Sequence, residues 1–71
     1  MRRFLIIIEK TARNYSAYSP DLPGCVATGK TRKQVEKNMR QAIAMHIQGL
    51  LEDRQAVPQP KTIAEYIAVR S

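Results

Sequence analysis

The sequence predicts an α+β fold of order β-β-β-α-β: a small mixed sheet with one long helix packed on one face. Three observations carry that expectation. An apolar run at residues 4–8 and an alternating, tyrosine-rich run at residues 14–19 read as strands. A Pro/Gly break at residues 20–24 separates the second strand from a third, short one. From Val35 onward, apolar residues recur at helical spacing.

The first strand is expected over residues 3–9, with Phe4, Ile6 and Ile8 on one face and Leu5 and Ile7 on the other. Both faces are apolar, so both call for burial. A single helix covers only one of them. Residues 10–14 are polar and suit a hairpin turn, where Asn14 tolerates unusual backbone angles. In the second strand Tyr15, Ala17 and Ser19 share one side, and Ser16 and Tyr18 the other. The third strand is short, from Cys25 to Thr28, and Gly29 ends it.

Thr31 and Gln34 form a Thr-x-x-Gln capping box that opens the helix. Val35, Met39, Ala42, Ile43, Ile47, Leu50 and Leu51 make one stripe along a helix expected from Arg32 to about Arg54. The Val57-Pro58-Gln59-Pro60 run stops it. Residues 62–69 read as a last strand, with Ile63, Ile67 and Val69 on one face; a short helix is the rival reading there. A helical crossover favours a last strand parallel to its neighbour, beside the first.

Seventy-one residues fit one domain spanning the whole chain. So short a chain buries a modest fraction of its surface and is marginal alone. One cysteine, Cys25, excludes an internal disulfide, and no metal-ligand spacing is present. Self-association, as a dimer or tetramer, is the remaining route to stability. The apolar content of 44% argues for a folded domain. No stretch has the length of a membrane span or of a secretory h-region, so the expected location is the cytoplasm, with no membrane partner. The net charge of +6 favours acidic partners, RNA and DNA among them.

The run Tyr15-x-Ala17-x-x-Pro20-Asp21-Leu22-Pro23-Gly24-Cys25, followed by Gly29-x-Thr31 and later Pro58-x-Pro60, resembles the HicB-like antitoxin family over about residues 3–60. The resemblance implies a partial ribonuclease-H-like β-β-β-α-β fold and an antitoxin. Such a protein binds a small HicA-like RNA-cleaving toxin and covers its active site. Many full-length family members also carry a C-terminal DNA-binding domain. The sequence reaches Ser71 without one, so promoter binding by that route is not expected.

No catalytic constellation or cofactor motif accompanies these features. A ribonuclease-like metal site needs a carboxylate inside the first strand, where this chain has Phe4-Leu5-Ile6-Ile7-Ile8. The lone His46 sits among Ala42, Ile43 and Leu50 and reads as a packed or interface residue. Cys25 reads as a small buried residue rather than a reactive thiol. The expected interface comprises Leu5, Ile7, Tyr15, Tyr18, Pro20, Asp21, Leu22, Pro23, Met45 and His46. Lys30, Arg32, Lys33, Lys37 and Arg40 cluster at the helix start, where cations oppose the helix dipole. They form a candidate anion or nucleic-acid patch. Tyr15 and Tyr18 point to opposite faces and cannot build one stacking platform. The expected function is therefore a binding protein and not an enzyme. Two alternatives are a stand-alone nucleic-acid-binding module and a structural homo-oligomer.

Overall fold

The computed structural model describes residues 2–71. Strands β1 (Ile7–Lys10), β2 (Tyr15–Tyr18) and β3 (Val26–Gly29) form an antiparallel sheet in sequence order, and helix α1 (Arg32–Glu52) crosses one face. The α+β class and the order of these four elements follow the sequence reading.

Thr11 builds the first hairpin turn. Its amide donates to the Asn14 carbonyl at 2.8 Å, and its hydroxyl both contacts Asn14 Oδ1 and accepts from the Asn14 amide. The sheet register then aligns Ile8, Ala17 and Ala27 on the face toward α1, and Ile7, Tyr18 and Val26 on the other. The two alanines leave room for the helix. Gly29 takes this furthest: a Cβ there would lie 2.6 Å from the Val35 backbone nitrogen. Ala17, Leu22, Cys25, Val35 and Met39 form the buried centre, with Phe4, Ile6, Ile8, Tyr15, Ala27, Ala42 and Ile43 packed around it.

The capping box forms one residue out of the usual register. Thr31 Oγ1 accepts from the Gln34 amide at 3.0 Å, and Gln34 Oε1 accepts from the Lys30 amide at 2.8 Å, not from that of Thr31. At the other end the Gln55 amide bonds the Leu50 carbonyl and the Arg54 amide bonds that of Leu51, with Arg54 at φ 57°. This is a Schellman stop, with arginine where glycine is usual. It ends the helix at Glu52, before the prolines are reached.

Two expectations are corrected. The first strand joins the ladder only from Ile7 to Lys10, although residues 4–6 pack on the core. The expected strand at residues 62–69, and the rival helix there, do not form: the segment carries neither ladder nor helix. A strand exists only where a neighbour supplies hydrogen bonds, and this segment leaves the body without reaching one. The sheet is thus antiparallel rather than mixed, and β1 is its edge rather than its centre.

Gly29→Ala forces the helix off the sheet. Urea denaturation should show a loss of about 1–3 kcal/mol, the usual range for overpacking. Arg54→Gly relieves the left-handed residue and should add roughly 1 kcal/mol by the same measurement.

Candidate protein-interaction surface

The turn joining β2 to β3 is rigid because its own backbone closes it. The Leu22 amide donates to the Ser19 carbonyl, the Cys25 amide to that of Leu22, and the Ser19 amide to that of Cys25. Gly24 supplies a φ of +81° that a side chain would strain. Ser19 Oγ donates to the Leu5 carbonyl at 3.0 Å and ties the turn to the segment entering β1. Leu22, at 0% exposure, plugs the core from within this turn.

Asp21 holds the returning chain. Its carboxylate accepts from the Thr62 hydroxyl at 2.6 Å and from the Lys61 and Thr62 amides, each at 3.1 Å. The Thr62 hydroxyl does most to hold the Asp21 carboxyl below the usual aspartate range, followed by the Thr62 amide. Burial works in the opposite direction, and the Lys61 amide and charge add to the lowering. Beyond this latch residues 63–71 are exposed. Burial pushes the Cys25 thiol up, so it stays protonated and is packed rather than reactive.

Besides the exposed arm, apolar areas remain open on the sheet and on the helix. On the outer sheet face Ile7, Tyr18 and Val26 stand side by side, with Val26 at 64% exposure. Leu5, half-buried, precedes them in the chain. On the far half of α1, Met45 is 72% and Leu51 58% exposed, with His46, Ile47 and Leu50 half-buried between them. Of the expected interface, Leu5, Ile7, Tyr18, Pro20, Pro23, Met45 and His46 thus keep surface to offer. Tyr15 packs largely inward. Leu22 and Asp21 are corrected: Leu22 is wholly core, and the Asp21 carboxylate is taken up by the latch. Val26 and Leu51, the latter expected in the helix stripe, join the open surface; Val26 pairs with outward Tyr18 in the ladder and so shares its face.

The cationic cluster divides. Arg32 pairs with Glu36 at 3.2 Å. Arg32, Glu36 and Arg40 then line a groove of ≈ 920 Å³ between α1 and the first segment, together with Arg2, Arg3 and a floor of Phe4, Ile6, Ile8 and Ile43. Lys30, Lys33 and Lys37 are exposed. Among the described residues no group of three or more His, Cys, Asp or Glu side chains could hold a metal ion. Nor is any helix among them long and apolar enough to cross a membrane.

The family model for the HicB_like antitoxin of bacterial toxin-antitoxin system matches residues 4–71. The chain belongs to the HicB-like antitoxin family. Among relatives, this HicB-like chain is 40% identical over 62 residues to an uncharacterized 14.9 kDa protein of Haemophilus phage HP1, covering 87% of this chain. It spans about half of that phage protein, 47% of its length. A UPF0150 protein of Thermoplasma acidophilum is 33% identical over 70 residues, covering 97% of this chain and 99% of the relative. A chain in the solved HicA3 and HicB3 toxin-antitoxin complex shares the HicB-like fold, with TM-score 0.71 and 35% identity over 83% of this chain and 70% of that one.

The latch is pH-dependent with a definite sign. A carboxyl whose pKa is lowered by folding stabilises the fold above its unfolded pKa, and that contribution is lost as pH falls through the folded value. The Thr62 amide resonance should therefore titrate below the ordinary aspartate range. In Asp21→Ala the Lys61 and Thr62 amides should lose their hydrogen-exchange protection at neutral pH, while the helix amides keep theirs.

Proposed function

We propose that this chain is the antitoxin of a toxin–antitoxin pair. It binds a small HicA-like RNA-cleaving toxin and buries that partner's active site, and it self-associates. The observation that carries this reading is the open apolar surface formed by Ile7, Tyr18 and Val26 on the sheet and Met45 and Leu51 on the helix. A rigid sheet and helix presenting aliphatic and aromatic side chains suit the central contacts of a protein interface. Family membership and the likeness to the HicA3 and HicB3 complex support the choice of partner.

Charge placement fits such a partner. An RNA-cleaving protein carries cations that hold phosphates, and a net +6 chain repels them. Seven of the twelve cations lie at the helix start and along the groove, with Arg54 just past the far end of α1, whereas the outer sheet face carries Glu9 beside Ser16 and Thr28. Docking through the outer face and the far end of α1 keeps the cationic cluster away from the toxin. Inhibition then needs no chemistry: an occluded active site cannot admit RNA. The reading is of a binding protein acting in the cytoplasm, with Cys25 reduced.

The nucleic-acid alternative rests on exposed Lys30, Lys33 and Lys37. The Lys30 and Gln34 amides at the helix start are already taken by the capping box, which weakens this site for phosphate. Charge reversal of Lys30, Arg32 and Lys33 to Glu should therefore leave toxin binding intact.

Coexpression with a HicA-like toxin should yield a co-purifying complex that does not cleave RNA. Met45→Asp and Leu51→Asp together should weaken that complex at least tenfold by calorimetry, the scale of a lost central contact. A toxin that fails to co-purify with the unaltered chain overturns the reading.

A further inference from the structure

The same chain holds a strand-like sequence without a sheet and a sheet edge without a neighbour. Residues 63–69 alternate in sequence: Ile63, Glu65, Ile67 and Val69 at one set of positions, Ala64, Tyr66 and Ala68 at the other. Tyr66 is 105% exposed and Ile67 79%, so the segment touches nothing beyond its latch at Asp21. At the other end of the problem, β1 has a neighbour on one side only. Its Ile8, with Phe4 and Ile6 of the segment that precedes it, forms the floor of the groove beside α1, and no residue of 63–69 lines it. The second edge strand, β3, already has a side-chain cover, since Asn38 Nδ2 donates to the Thr28 carbonyl at 2.7 Å.

We propose that a second copy of this chain fills the groove: residues 63–69 of each protomer add as a strand along the β1 edge of the other. The self-association stated above is the premise, and this is its geometry. The side chains fit the site. Ile63, Ile67 and Val69 supply an apolar face for the floor of Phe4, Ile6, Ile8 and Ile43. Glu65 lies on that same face, against a rim carrying Arg2, Arg3 and Arg40 besides the paired Arg32. The opposite face, with Tyr66, joins Leu5 and Ile7 on the outer side of the sheet. Exchange also hides two unpaired strand edges, the usual hazard of such surfaces.

Size fits a second copy: the chain leaves open about the area that a stable dimer buries. The accessible surface is 6256 Å². A compact chain of 8.1 kDa exposes about 4,500 Å². The excess, roughly 1,750 Å² per chain, is what a permanent dimer buries. The radius of gyration, 13.9 Å, likewise exceeds the roughly 11 Å of a compact chain of this length. The longest extent of the molecule is 48 Å. A reciprocal exchange is self-complementary and closes at two chains.

The test uses the full chain, mixed from equal parts 13C-labelled and unlabelled protein. Sedimentation should give twice the chain mass, and isotope-filtered NOESY should show contacts between the Ile67 and Val69 methyls of one chain and Phe4 or Ile8 of another. Twice the mass with no such intermolecular contacts overturns the exchange and leaves self-association standing. A single-chain mass overturns both. Ile67→Asp, on an exposed segment that does not touch the core, should keep the helical circular dichroism and raise the dimer dissociation constant at least tenfold. An unchanged constant overturns the exchange.

Discussion

Helix α1 is more than twice as long as the sheet beneath it is deep. Its 21 residues span about 31 Å, while four-residue strands reach about 13 Å. The first turns of the helix, with Val35 and Met39, find the sheet and are buried. The stripe then continues through Ile47 and Leu50, which are only half-buried, to Leu51, which is exposed. Ala17, Ala27 and Gly29 bring helix and sheet close together, which makes the contact tight but small. The fold is thus well specified at one end and open at the other, and its open end is where a partner has most to gain.

The turn at residues 20–25 does two structural jobs at once. Leu22 and Cys25 enter the core from one side, and Asp21 reaches back to seize the chain after the helix. Gly24 permits the backbone path, Gly29 the close approach and Thr31 the helix start. The residues that make the family recognisable are therefore mostly those that build its frame. In the proposed complex the choice of partner falls mostly to residues outside that run: Ile7 and Val26 on the sheet beside Tyr18, and Met45 and Leu51 on the helix. This explains how a chain can be placed in its family with ease while its interface residues are harder to name.

The hairpin, the Pro/Gly turn, the capping box and the helix stripe were all readable in the sequence because each rests on contacts a few residues apart. The failures share a cause of the opposite kind. Residues 62–69 have the composition and alternation of a strand, but pairing depends on a partner distant in the chain or on another chain, and alternation carries no information about which. Asp21 looked like a turn surface residue because its acceptors' donors, Lys61 and Thr62, lie forty residues on. Leu22 between two prolines gave no hint that the turn folds inward. Arg54 in a left-handed conformation ended the helix two residues before the expected stop, a position where sequence alone would call for glycine.

Charge separates the two faces in a way that bears on how the proposed contacts coexist. The groove rim carries Arg2, Arg3, Arg32 and Arg40, and one acid, Glu36, answers one of them. The outer face around Ile7, Tyr18 and Val26 carries Glu9 and small polar residues. An arm bearing Glu65 is drawn to the first and gains little at the second; a cationic RNA-binding protein is repelled by the first and tolerated at the second. In the proposed assembly the arm does more than fill the groove. By covering it, the arm neutralises part of the rim and lowers the repulsion that a cationic toxin meets on approach. It also extends the outer face with Tyr66, adjacent to Leu5 and Ile7, and so enlarges the apolar area the toxin docks on. Self-association and toxin capture then use different sides of β1 and reinforce each other rather than compete.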